Sequence, residues 1–400
     1  MRTAATRPFL SSMLPLLLPL AARDAVSSPP HPVDERPIER RGQLVTGIDA
    51  KWIELGDPRG ATVLFLHGYT DTSRSFLPTM HALSELRPEL RLIALDQRGH
   101  GGSSLPAAEA CREEPQRCFE LASLAADALA LLDREGIPRA YVVGHSMGSV
   151  VAQEIALTHP ERVERLVLIG TSPRMGASPV VNTMLRDGLV EGPWKETIEA
   201  RGLRFPADAW VLLPGDLDPQ IETWLAENWV AEVGADPAHL GAIVPETARV
   251  PLGTWIGALR MLLAHDARSR LSDLRVPTLV LSPIQDVFFP EEPDQRELRS
   301  ALQRASATHG TTWFWKRYGR RALGEGPQDD LGHNLHWSAP GPVARDLAAF
   351  LRPAGAPTRE LAFLEGDGIP RLRVEEGGAL VLGSAAQEAS DSERSSSKRR

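Results

Sequence analysis

Tyr141-Val142-Val143-Gly144-His145-Ser146-Met147-Gly148 runs an apolar strand pattern straight into a serine with glycines at i−2 and i+2. This is the grammar of a nucleophile elbow. A serine hydroxyl reaches a substrate carbonyl only if a tight strand-to-helix turn holds it clear of the backbone, and such a turn tolerates little beyond hydrogen at the flanking positions. By ordinary residue usage G-x-S-x-G arises by chance about 0.1–0.2 times in a chain of such length. The surrounding sequence therefore has to carry the assignment.

With 400 residues, 42% of them hydrophobic and 24% charged, the chain can bury a large core in one large or two small domains. Its net charge of −8 and pI near 5.8 argue against a nucleic-acid partner, which would call for a clustered basic face. The one basic cluster is Lys398-Arg399-Arg400, at the chain end.

Residues 1–28 read as a secretory signal peptide: Arg2 and Arg7 precede the apolar run Phe9–Ala22, and small residues follow at Ala25, Ser27 and Ser28. That run is too short for a bilayer span and is broken by Pro15 and Pro19, so no stable membrane span is expected. The implied location is secreted or periplasmic, with the cytoplasm as the alternative. Cys111 and Cys118 are the only cysteines, and an oxidising compartment would let them close a small loop.

Residues 29–41 read as a proline- and charge-rich linker. Beyond it, apolar runs alternate with helical patterns, the signature of an α/β fold with a mostly parallel sheet covered on both faces. Strands are expected at Lys51–Leu55, Thr62–Leu66, Leu90–Leu95, Ala140–Val143, Arg165–Ile169, Thr278–Ser282 and Thr311–Lys316. Helices are expected at Phe76–Leu86, Phe119–Leu132, Met147–His159, Pro293–Ser306 and Pro342–Leu351. The core is thus 42–172 and 274–353. The interval 173–273 breaks the alternation and carries Trp194, Trp210, Trp224, Trp229 and Trp255, mostly in helical patterns such as Ile221–Val233 and Trp255–His265. It reads as an inserted helical lid. Residues 354–383 form an appendage with strand-like runs at Glu360–Leu364 and from Arg371 to Val374, and 384–400 a disordered tail.

A serine nucleophile needs an oxyanion site, a general base and an acid that orients the base. Leu64-Phe65-Leu66-His67-Gly68-Tyr69 ends a strand in a His-Gly loop, whose Tyr69 amide can join the Met147 amide as oxyanion donors. Asp96-Gln97-Arg98-Gly99-His100-Gly101-Gly102-Ser103 reads as a structural turn beside the elbow, with His100 a turn element and not a base. Downstream, Asp286 follows the strand Thr278–Ser282, at the carboxyl end of the sheet where sites of such folds lie. Glu291 and Glu292 are its rivals but open the next helix, where acids serve the helix dipole. Gly332-His333-Asn334-Leu335-His336 supplies the base: His333 follows a freeing glycine and is preferred to His336. The long connection from Gly319 to Gly332 is expected to help wall the pocket.

In this order, the His67-Gly68 loop, the Asp96–Ser103 turn, the Gly144–Gly148 elbow, Asp286 and Gly332-His333 resemble the α/β-hydrolase superfamily from about residue 42 to 353. The resemblance implies Ser146 as nucleophile, His333 as base and Asp286 as its orienter, with a lid inserted after the sixth strand. One departure is local. Ser282-Pro283 stand near the place of the glycine in the usual Gly-x-x-Asp pattern.

The expected chemistry is hydrolysis of a small-molecule carboxylic ester or lactone through an acyl-enzyme, without cofactor. No metal site is expected either, since His333 and His336 lack a third ligand of suitable spacing. Haloalkane dehalogenases and epoxide hydrolases of the fold use an aspartate where Ser146 stands. Cofactor-free haloperoxidases and carbon–carbon bond hydrolases resemble the same triad, and a non-catalytic binding module of hydrolase fold is the remaining alternative. The tryptophans of the lid suggest an apolar or aromatic substrate part.

Overall fold

Thr62–Leu66 is buried at every position, which a strand satisfies only when both faces of its sheet are covered. The computed structural model describes residues 36–176, 178–230, 232, 234–283, 286–318 and 332–352, and the backbone of 373–374 and 380–381. Within these, eight strands form one sheet: β1 (Ile38–Gln43), β2 (Asp49–Gly56), β3 (Thr62–Leu66), β4 (Arg91–Leu95), β5 (Ala140–His145), β6 (Val163–Ile169), β7 (Thr278–Pro283) and β8 (Trp313–Tyr318). Their order is β1-β2-β4-β3-β5-β6-β7-β8. The β1–β2 and β2–β4 pairs are antiparallel and all others parallel, so the mostly parallel sheet expected from the alternation is present. The stretch expected as linker to residue 41 already pairs as a strand from Ile38, opposite Glu54.

Two-residue periodicity divides the strands from β2 to β8 between two apolar layers. Val63 and Phe65 pack with Met80 and Leu83 of α1 (Leu77–Leu86) and with Leu347 and Phe350 of the last core helix, Pro340–Phe350. Leu64 and Leu66 face the opposite layer, which includes Leu124 and Ala128 of α2 (Leu121–Arg134) and Val150 and Val151 of α3 (Met147–Thr158). The helix Arg296–His309 completes that layer and ends at Gly310, whose left-handed φ of 70° is the usual helix stop.

Between β6 and β7 the described residues are mainly helical, among them α4 (Pro237–Ala248) and α5 (Leu252–Ala264). The expected helix Ile221–Val233 runs as two abutting segments from Ile221 to Trp229; Val233 lies outside the described residues. Cys111 and Cys118 are disulfide-bonded, with Cα atoms 5.7 Å apart. The turn they close supports α5: a Cβ on Gly257 would stand 2.8 Å from the Pro115 carbonyl oxygen. Among the described residues no helix is long and apolar enough to cross a membrane. Of the appendage, Arg373–Val374 pairs with Leu380–Val381, while Glu360–Leu364, the 319–331 connection, the tail and residues 1–35 lie outside the described residues.

The elbow depends on missing side chains. A Cβ on Gly148 would lie 2.0 Å from the Leu66 carbonyl oxygen, and one on Gly144 2.3 Å from the Gly148 carbonyl oxygen. Both clashes are with backbone, so no rotamer change relieves them. Gly148→Ala is therefore expected to destabilise the protein by about 2–3 kcal/mol or more, read as a lowered urea midpoint. An unchanged midpoint would show that α3 does not press on β3 as described.

Candidate active site

Ser146 sits between β5 and α3 at φ 49°, ψ −118°, a backbone region that non-glycine residues rarely adopt. Holding it there costs about 1–3 kcal/mol. The conformation is fixed by the Ser146 amide donating to the Ile169 carbonyl at 3.0 Å and by the close approach of α3 to β3 through Gly148. In return the side chain stands half-buried at the carboxyl end of the parallel strands, in a cavity it shares with His333.

His333 Nδ1 lies 2.9 Å from Asp286 Oδ2. Asp286 is itself held by its other oxygen, which accepts from the amides of Phe288 at 2.9 Å and Phe289 at 3.2 Å. Both groups are buried, and the rings of Phe288 and Phe289 flank the imidazole at centroid distances of 4.8 and 5.2 Å. Gly170, at φ +51°, makes room for this histidine, since a Cβ there would lie 2.9 Å from His333 Cε1. Ser146, His333 and Asp286, named from sequence, are thus brought to one end of the sheet. Of the rivals, Glu292 is largely exposed and pairs with Arg296, and the side chain of Glu291 lies outside the described ones. His336 is fully buried against Ser75 Oγ at 2.8 Å.

Of the expected oxyanion donors, Tyr69 lines the same cavity, and Met147 follows Ser146 as the first residue of α3. Neither amide has a hydrogen-bond acceptor among the described residues; the Met147 amide opens a helix, where donors are unsatisfied by geometry. The loop carrying Tyr69 is fixed from below by His67. The Gln97 amide donates to His67 Nε2 at 3.0 Å, so the ring proton is on Nδ1, which donates to the Gly68 carbonyl at 2.8 Å. From above, the Tyr69 hydroxyl donates to the Trp255 carbonyl at 2.6 Å, and Trp229 Nε1 donates to Thr70 Oγ1 at 2.9 Å. Thr70 has φ 60°, costly for a β-branched residue, and the Trp229 contact helps hold it.

The Asp96–Ser103 turn has the structural character expected of it. Asp96 accepts from the Ser73 and Gly102 amides at 2.6 and 2.8 Å, and Arg98 grips Asp127 with two bonds at 2.6 and 2.8 Å. His100 Nδ1 donates to the Arg98 carbonyl at 2.9 Å.

Of four further features, only the lid tryptophan Trp229 has a sequence signal. Trp229, Phe288 and Trp337 line the cavity from three different segments. Asp71 also lines it, and burial raises its pKa to about 7. Behind it, ligand atoms of Asp71, His145 and His336 lie within 4.8 Å of one another, a donor set that could take a divalent cation and that does not include His333. Glu232, from the β6–β7 insertion, accepts from the Gly332 amide at 2.9 Å, the Asn334 amide at 3.0 Å and Asn334 Nδ2 at 2.9 Å. Burial raises its pKa, and these bonds offset part of that rise.

This geometry accompanies a family assignment. Residues 61–305 match the model of the alpha/beta hydrolase fold, a region that holds Ser146 and Asp286 and ends before His333. The chain belongs to the alpha/beta hydrolase family. It is 31% identical over 244 residues to a "Putative carbamate hydrolase RutD" of Variovorax paradoxus, covering 60% of this chain and 80% of that protein. It is 32% identical over 135 residues to "Epoxide hydrolase A" of Mycobacterium tuberculosis, 33% of this chain and 39% of that one. Its fold matches an esterase of Exiguobacterium antarcticum with a TM-score of 0.55 at 18% identity, over 78% of this chain and 99% of the other.

Burial dominates the histidine electrostatics. Desolvation lowers the pKa of His67, His145 and His336, and that of His100 to about 3, because the charged ring loses its hydration. An unfolded histidine titrates near 6.5. The stability that neutral His100 contributes is therefore full above pH 6.5 and is lost as pH falls from there towards about 3. In a proton NMR titration from pH 5 to 8, the ring signal of His100 is expected to stay constant, and those of His67, His145 and His336 to show no midpoint at 6.5 or above. A midpoint near 6.5 for any of the four would contradict its burial.

Proposed function

We propose that this protein hydrolyses a carboxylic ester or lactone by acyl transfer through Ser146. The observation that carries this reading is the Asp286–His333 pair at 2.9 Å, facing the cavity into which the strained elbow turns Ser146. His333 Nε2 takes the hydroxyl proton as Ser146 Oγ adds to the substrate carbonyl. Asp286 holds the imidazole in the productive tautomer and balances its charge as the ring becomes imidazolium. The amides of Tyr69 and Met147 receive the oxyanion, a contribution worth about 100- to 1,000-fold in rate per donor. Collapse of the adduct breaks the carbon–oxygen bond, the alcohol leaves with the proton from His333, and a water activated by the same ring releases the acid.

A carbamate is the second reading, favoured by the 31% identity to the protein named a carbamate hydrolase. The same steps serve it, with an amine or alcohol as leaving group. Against an epoxide substrate stands the residue at the elbow, a serine in place of the aspartate of epoxide hydrolases. The apolar wall formed by Val181, Leu185, Trp229, Ile243 and Phe288 supports a substrate with an apolar or aromatic part.

A panel of chromogenic esters, lactones and aryl carbamates identifies the preferred bond. Ser146→Ala is expected to lower kcat on the order of 10^6-fold and to abolish labelling by a fluorophosphonate. Retained activity in that variant would end the acyl-transfer reading. Asp286→Asn is expected to lower kcat about 10^3- to 10^4-fold with the fold intact, and normal turnover there would move the orienting role to Glu291 or Glu292.

A further inference from the structure

We infer that Glu232 is a positioning residue for His333, through which the β6–β7 insertion sets the geometry of the base; the inference rests on the acyl-transfer reading above. Glu232 belongs to neither the elbow nor the loop that carries Asp286. Its carboxylate nevertheless spans the residues on both sides of His333: one oxygen accepts from the Gly332 amide, the other from the backbone and side-chain amides of Asn334, all at 2.9–3.0 Å.

This approach has been given room. A Cβ on Gly332 would lie 2.3 Å from Glu232 Oε1, so the carboxylate occupies the space that any other residue at 332 would fill. The contact gives Gly332 a reason to lack a side chain. The bonds to residues 332 and 334 fix the path of the loop between them, and Asp286 fixes the ring at Nδ1. Together they leave His333 Nε2 one direction. Misplacement of a reacting group by about 1 Å can cost roughly 100-fold in rate.

Three residues earlier the same segment holds the other half of the site. Trp229 Nε1 bonds Thr70 Oγ1 beside the Tyr69 amide, and its ring meets Phe288 edge-on at 5.6 Å, the phenylalanine that stacks on His333. Trp229 and Glu232 therefore touch the oxyanion loop and the base loop respectively. The insertion acts on the machinery as well as roofing the cavity, and displacing it would loosen His333.

The chemistry of the contact selects the test. Both carboxylate oxygens accept from N–H groups, so Glu232→Gln keeps shape and volume but turns an NH2 towards a donor. Steady-state kinetics on the panel substrate turned over best by wild type are measured for Glu232→Gln, Glu232→Ala, Gly332→Ala and the double variant Glu232→Ala/Gly332→Ala, with the rate of fluorophosphonate labelling at Ser146 and a thermal melt for each. Glu232→Gln and Glu232→Ala are expected to lose about 10- to 100-fold in kcat and in labelling rate with KM within about twofold. Gly332→Ala is expected to do the same alone and to add nothing in the Glu232→Ala background, since the clash partner is gone.

Wild-type-like kcat and labelling in folded Glu232→Gln, or a loss in Gly332→Ala that persists undiminished in the double variant, overturns the positioning role. If Glu232→Ala fails to fold, Glu232→Gln and Gly332→Ala alone decide. Should wild type neither turn over the panel nor label at Ser146, the acyl-transfer reading fails and this inference with it. A labelled, active wild type with an indifferent Glu232 overturns the inference alone.

Discussion

The close approach of α3 to the ends of β3 and β5 is the constraint on which the site depends. Gly148 lets the helix backbone come within contact of the Leu66 carbonyl, and Gly144 lets β5 come within contact of the helix's Gly148 carbonyl, separations that no Cβ survives. The chain must reverse from strand to helix in a single residue, and Ser146 takes the strain at φ 49°. The conformation that lifts the hydroxyl off the backbone also makes Met147 the first residue of the helix, with its amide free of a helical acceptor. Nucleophile and oxyanion donor thus follow from one packing contact.

Around that contact the buried polar groups are held by specific partners. His67 is locked in one tautomer between the Gln97 amide and the Gly68 carbonyl, and so stiffens the loop that carries Tyr69. His145 stacks between His333 and His336, with ring centroids at 4.8 and 4.2 Å. Burial keeps His145 and His336 neutral, which spares the proposed base from two cationic neighbours. The insertion closes the arrangement, since Tyr69, Thr70 and Gly332 all receive contacts from it.

Local sequence made most of this legible. The strands and helices of the core start and stop within a few residues of their expected places, because fully apolar runs and period-3.6 patterns leave a doubly covered sheet little choice. β1 is the exception: Ile38–Gln43 is mostly exposed and charged, and it becomes a strand only because the edge of β2 offers it hydrogen bonds. The helix expected over Ile221–Val233 runs to Trp229 among the described residues. Gly332, the residue that distinguishes His333 from His336 in the sequence, also leaves room for Glu232.

The sequence by itself determined the elements that repeat a local rule: the elbow glycines, the order of serine, acid and histidine, and the alternating apolar runs of the sheet. Each is encoded in neighbours a few residues apart, where backbone sterics and hydrophobic periodicity act. Only the tertiary structure decided which distant groups meet. Asp286 and His333 are separated by 47 positions, Thr70 and Trp229 by 159, and Glu232 and Gly332 by 100. The last two leave no pattern along a single chain, because they are chosen by how the segment between β6 and β7 settles on the sheet and not by the residues beside them.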